Sequence, residues 1–166
     1  MGFTEFTVDA LEWIKDNLTL FKGHNDVSFF ELVIRYLGGL LEIFHLTGDQ
    51  MFAEKARDLG VLLSQCFGNP SSIPFTRIDL AKRVCKLQGG CRKHKDCNVN
   101  TAEVATVQLE LRQLSVITGD YLFFGMANGT SNKLLAAAPP NGVVPSHVNT
   151  YTGEFVGRST LTRGSL

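Results

Sequence analysis

The stretch "FFELVIRYLGGLLEIFHLTGD", residues 29–49, decides the fold. It is apolar nearly all round, as an interior helix of a larger helical protein reads, and the spacing predicts one helix from about Val27 to Leu46. Its formal charges are Glu31, Arg35 and Glu42. Gly48 supplies a helix stop, and Asp49 a cap for the following "QMFAEKARDLGVLLSQCF". Glu31 and Arg35 stand i, i+4, share one helix face and can pair. On an exposed helix such a pair contributes only about 0.3–0.5 kcal/mol. Among Phe29, Phe30, Leu32, Val33 and Ile34, a lone carboxylate would cost several kcal/mol. Two readings stand equally here: a structural ion pair, or a pair facing a polar cavity.

Working outward, the chain repeats itself. A second helix of the same kind, "TAEVATVQLELRQLSVI", starts at Thr101 and also ends in Thr-Gly-Asp. Gly48 to Gly119 is 71 positions, and Glu31 to Glu103 is 72. Each unit reads as an acidic-headed apolar helix, Thr-Gly-Asp, then an aromatic-bearing segment. This pattern predicts stacked helical hairpins, with apolar helices inside and amphipathic ones outside. A helical repeat needs about three or more units to bury its faces, so the chain reads as part of something larger. Before the first unit, "DALEWIKDNLTL" from Asp9 to Leu20 predicts a short amphipathic helix. Residues 75–100 read as an irregular, Cys-rich loop. Residues 125–166, rich in Gly, Pro, Ser and Thr, read as mostly loop.

Composition narrows the partner. With 166 residues and 44% hydrophobic content the chain can bury an ordinary core. Sixteen basic residues balance sixteen acidic ones, so no basic field selects nucleic acid or an anionic membrane. No apolar run reaches membrane-span length, and "MGFTEFTVDA" is not a secretory leader, so any signal or anchor is expected in a longer form. Cys66, Cys85, Cys91 and Cys97 allow three full pairings, among which spacing does not choose. They permit an oxidising compartment, as do the glycosylation triplets at Asn17 and Asn128, though such triplets often arise by chance.

Further chemistry centres on acids. Glu103 and Glu110 lie seven positions apart, two turns of a continuous helix, and so would share a face. An acidic first turn explains Glu103 without function but explains Glu110 poorly. Carboxylates converging from different helices suit glycosidic hydrolysis, in which an acid protonates the leaving oxygen while a base activates water. Cys85, Cys91 and Cys97 with His94 lack the spacing of structural zinc sites, which favours a disulfide or free thiols. His45 reads as a packed or hydrogen-bonded core residue.

These residues resemble a known family. Residues 29–49 are similar to the F-E-x-x-I-R-x-L-G-G-L-L-x-A-x-x-L-[ST]-G-D signature of class I α-1,2-mannosidases, glycoside hydrolase family 47. "SSIPFTRIDL" resembles that family's S-x-I-P-Y-x-x-V-N-L loop. "TAEVATVQLELRQLSVITGD" resembles its A-E-V-x-x-x-Q-L-E-F helix, and "GVVPSHVNTYTGEF" its G-L-V-P-x-x-I-N segment. The resemblance implies an all-α fold, an incomplete part of an (α/α)7 toroid, with residues 1–166 forming the N-terminal portion of the catalytic domain. It implies an inverting, calcium-dependent hydrolase that trims α-1,2-mannose from high-mannose N-glycans in the endoplasmic reticulum or Golgi. By motif, Glu31 corresponds to the general acid and Arg35 to a substrate-binding arginine. Glu103 matches a mannose-holding glutamate, and Glu110 a second acidic position.

The chain also departs from the family pattern. "VDAL" runs directly into "EWIKDNL", the Cys-rich loop is atypical, and the family's later carboxylates and its calcium-ligating threonine are not in this sequence. The chain alone is therefore expected to turn over poorly or not at all. A second reading is a non-catalytic helical-repeat fragment that binds glycan or protein. A third is a metal or redox module on the cysteines.

Overall fold

The structure, a computed structural model, describes residues 4–19, 26–86 and 97–157. After α1 (Thr4–Asn17), two units of the same plan follow one another. The first runs β1 (Val27–Ser28), α2 (Phe29–Glu31), a π-helical turn (Leu32–Leu37), α3 (Gly38–Thr47) and α4 (Gln50–Ser64), then β2 (Arg77–Asp79) and β3 (Val84–Lys86). The second runs β4 (Asn98–Asn100), α5 (Thr101–Ala105), α6 (Gln108–Thr118) and α7 (Tyr121–Ala137), then β5 (His147–Asn149) and β6 (Phe155–Val156).

The Thr-Gly-Asp corners are built alike. Gly48 and Gly119 take left-handed backbone at φ 70° and 68°, which glycine adopts without a Cβ penalty. Thr47 and Thr118 each donate a hydroxyl back into the last turn, to Ile43 and Leu114 carbonyls at 2.7 Å. Asp49 and Asp120 then cap the outer helices, accepting from Met51 N–H at 3.1 Å and Leu122 N–H at 3.0 Å. Every residue of the triplet therefore has a structural task, which is why it recurs.

Helix predominates, but the expectation of an all-α fold needs correction, because each unit closes with a small antiparallel sheet. The orders are β1-β2-β3 and β4-β5-β6, with Val27 opposite Ile78 and Val99 opposite Val148. Each leading strand feeds an inner helix whose first N–H is claimed by the sheet: Phe29 donates to Thr76 and Thr101 to Ser146. The β2–β3 and β5–β6 turns match too, with Arg83 at φ 55° and Gly153 at φ 70° in equivalent places. The stretch expected to be loop from 125 onward is helical to Ala137 and then contributes β5 and β6. Residues 75–100 likewise contain β2, β3 and β4, while Cys91 and His94 lie outside the described residues.

Both inner helices, read as continuous, are interrupted. In the first, Gly38 N–H reaches Val33 and Arg35 carbonyls across the π turn. In the second, Thr106 bonds its hydroxyl back to Ala102 at 2.9 Å and α5 stops, an i−4 competition that bends helices. The main core gathers Phe29, Leu37, Phe52, Leu59, Leu63, Leu111, Leu114 and Phe123 from both units. Full burial of each contributes about 1.5–3 kcal/mol. A smaller cluster of Ile73, Val99, Val104, Leu134 and Val148 seats the second sheet on α5 and α7.

Candidate active site

Ser28 caps α2, accepting the Glu31 N–H at 3.3 Å, so Ser-x-x-Glu has the layout of a capping box. The Glu31 carboxylate accepts from Arg35 Nε. These two side chains are 45% and 70% exposed, so the pair is not enclosed in the core. Of the two readings left open by sequence, the cavity is met by Glu31 alone, since Arg35 does not line it. Glu31 lines a groove of about 520 Å³ with Trp13 and Asn17 of α1, Asp26, Ser28, Tyr36 and Arg77. Trp13 and Tyr36 are 60% and 47% exposed, offering broad amphipathic rings beside an acid. Arg77 is fixed by Asp26, donating to its carboxylate and its carbonyl at 2.9 Å each. That contact holds the Asp26 carboxyl below the usual carboxylate range, with Lys86 adding to it.

Glu103 occupies the position equivalent to Glu31, three residues after the cap Asn100, which accepts from Ala102 N–H at 2.9 Å. It lines a separate cleft of about 240 Å³ with Thr76, Asn98, Asn100 and His147. Consecutive residues of one chain segment thus face the two glutamates: Thr76 toward Glu103 and Arg77 toward Glu31. The shared face expected for Glu103 and Glu110 rested on a continuous helix, and the break at Thr106–Val107 removes that basis. Glu110 instead packs its side chain against Gly38 across the interface between the units, its Oε2 buried without a protein partner. His45 is exposed and hydrogen-bonded to Gln113 at 2.7 Å, joining α3 to α6.

The cysteines among the described residues are structural. Cys66 bonds to Cys85, and Cys97 is disulfide-bonded as well, so these three are removed from any zinc or free-thiol reading. Among the described residues, no three His, Cys, Asp or Glu side chains gather to hold a metal ion.

Sequence reasoning missed Trp13, Tyr36 and Arg77 as groove residues. It also missed the π turn, although a signal existed. Glu31 to Gly48 spans 17 positions and Glu103 to Gly119 spans 16. The extra residue falls in the helix that carries the π turn, and a one-residue insertion is what makes such a bulge.

A sequence profile of glycosyl hydrolase family 47 matches residues 1–166. The chain belongs to glycosyl hydrolase family 47. Among family relatives, it is 37% identical to the endoplasmic reticulum mannosyl-oligosaccharide 1,2-alpha-mannosidase of Schizosaccharomyces pombe, across 96% of this chain and 30% of that protein. It is 38% identical to the mannosyl-oligosaccharide 1,2-alpha-mannosidase of Candida albicans, across 89% of this chain and 25% of that one. Against the human endoplasmic reticulum mannosyl-oligosaccharide 1,2-alpha-mannosidase the identity is 34%, across 99% and 23%. The chain therefore spans less than a third of the length of these family 47 proteins.

Proposed function

We propose that this chain carries the acid side of an inverting α-1,2-mannosidase site, within an incomplete part of an (α/α)7 toroid. Glu31 is the general acid, protonating the oxygen of the departing sugar. Arg35 orients Glu31 and binds the mannose beside it, while Glu103 and Glu110 contribute to substrate binding. The observation that carries this reading is Glu31, half-exposed in a groove it lines with Trp13 and Tyr36 and paired with the more exposed Arg35 beside it. Inversion needs a second carboxylate about 6.5–9.5 Å from the first, with room for water between them. Neither Glu103 nor Glu110 lines the groove of Glu31. The groove's other carboxylate, Asp26, is tied to Arg77 and Lys86 rather than left to activate water, so the isolated chain turns over poorly.

The proposed substrate is a high-mannose N-glycan in the secretory pathway, in the endoplasmic reticulum or Golgi. The names of the relatives and the disulfides support that setting. Calcium dependence belongs to the complete enzyme. No step proposed for the described residues runs through the ion. No helix among them is long and apolar enough to cross a membrane.

Titration calorimetry with α-1,2-mannobiose, alongside a mannose-release assay with calcium, tests both parts. Binding is expected to weaken about tenfold on Arg35→Ala, the loss of one charge-assisted hydrogen bond. Release is expected near zero. Binding indifferent to Arg35→Ala would remove the Glu31–Arg35 pair from the site, and robust release would overturn the incompleteness.

A further inference from the structure

The two Asn-x-Thr triplets, Asn17-Leu18-Thr19 and Asn128-Gly129-Thr130, meet opposite fates in the fold. Asn17 is the last residue of α1, and the backbone leaves the helix at Leu18. Asn17 and Thr19 are both exposed. Leu18 anchors the segment between them. Its side chain packs on the core, its N–H donates to Ile14 at 3.1 Å and its carbonyl accepts from Lys55 at 3.3 Å. The triplet is thus held in place beside the Glu31 groove, which it helps line, with Asn17 and Thr19 open to water. Asn17 Nδ2 donates one hydrogen bond, to the Trp13 carbonyl at 3.0 Å. A carboxamide nitrogen carries two hydrogens, so one can be replaced while that bond survives.

The other triplet lies inside α7. Asn128 is half-buried, and Thr130 is fully buried with its hydroxyl 2.7 Å from the Ser72 carbonyl and 3.2 Å from that of Met126. Gly129 abuts Ser72 so closely that a Cβ there would sit 3.2 Å from the serine's own. A glycan on this seam would have to part α7 from the segment at Ser72. The disulfides Cys66–Cys85 and Cys97 supply the remaining condition, an oxidising compartment of the kind in which Asn-x-Thr triplets are glycosylated.

We propose that Asn17 is an N-glycan acceptor and Asn128 is not. The donor is a lipid-pyrophosphate-linked oligosaccharide handled by the host's transferase. Asn17 Nδ2 forms a bond to the anomeric carbon of the donor's first sugar and gives up one proton. The bond from that carbon to the pyrophosphate oxygen breaks, and lipid pyrophosphate leaves with the electron pair; nothing is oxidised or reduced.

The full 166-residue chain, produced in a eukaryotic host behind a cleavable secretion leader, is weighed intact with and without peptide-N-glycosidase. Wild type and Asn128→Gln are expected to carry one glycan, and Asn17→Gln and Thr19→Ala none. Thr19→Ala keeps Asn17 and its helix-end hydrogen bond, so loss of the glycan there does not trace to a disturbed α1. Peptide mapping of the Cys66–Cys85 bond in the same samples marks chains that passed through the oxidising compartment. A disulfide-bonded wild-type chain bare at Asn17, or a glycan found at Asn128, overturns the proposal.

Discussion

The Glu31 carboxylate has two destinations to choose between. Three residues behind an N-cap serine, a glutamate ordinarily turns back toward the cap N–H. Glu31 gives its own N–H to Ser28 but turns its carboxylate to Arg35. A pair this exposed contributes little to stability. Replacing Glu31 by Gln and Arg35 by Met together is therefore expected to leave the thermal midpoint in place while abolishing α-1,2-mannobiose binding. A large fall in the midpoint would mark the pair as structural. Two other carboxylates carry the acid response, Asp49 and, through its contact with Arg77, Asp26. Hydrogen bonds from Lys15 and from Met51 N–H hold Asp49 below its ordinary value, and the same contact raises Lys15. A depressed folded value means the Asp49 contribution is complete above the unfolded carboxylate value, about pH 4, and is lost as pH falls through the folded one. The Lys15 contribution is complete below the ordinary lysine value, about pH 10.4, and is lost as pH rises past it. Asp49→Asn keeps a capping oxygen but no charge, so midpoints measured against pH should flatten in part at the acid end, where Asp26 still responds, and at the alkaline end, while the plateau between shifts downward.

Between elements, a close approach within the core is at Gly60 of α4. A Cβ there would lie 2.4 Å from Leu114 and 2.8 Å from Phe123, both fully buried and without room to retreat. Gly60→Ala should therefore destabilise by about 1–3 kcal/mol in urea unfolding despite alanine's better helix propensity. The Cys66–Cys85 disulfide is another inter-element tie, joining the turn after α4 to β3 across 19 positions. Replacing Cys66 and Cys85 by Ser is expected to cost about 3 kcal/mol and to speed amide exchange in β3 before the helices. The elements also differ in how far sequence discloses them. Helical hairpins were legible because apolar spacing, Thr-Gly-Asp and the repeat offset all agree over many residues. The strands were not, because each is only two or three residues long and each leading strand pairs with a partner about fifty positions away, as Val27 does with Ile78 and Val99 with Val148. So short a run has no readable alternation. Glu31 and Arg35 were legible as a pair from spacing, whereas Trp13 and Arg77 join them only once α1 and β2 are folded beside them.

At the scale of the whole molecule, the repeat leaves one side open. The face of α3 that receives α6 presents Gly38 to Glu110 and His45 to Gln113, with Leu41 buried between them. After the π insertion the offset is 71, so the counterparts on α6 are Leu109, Arg112 and Val116. Leu109 is 75% exposed and Val116 77%, while Arg112 lies over the Phe124 ring at 5.7 Å. The same relation between successive repeats that buries one face therefore leaves its copy in water, as any repeat array does at its uncapped end. Apolar surface left open in this way promotes association. Sedimentation velocity should find the 166-residue chain self-associating as concentration rises, and Leu109→Glu with Val116→Glu should return it to a monomer. Exposed substitutions of this kind change stability by no more than about 0.5 kcal/mol, so the unfolding midpoint should stay where it was. A wild-type chain that remains monomeric across the range would mean that the face tolerates water, and would remove the main physical reason for reading the chain as part of a larger ring.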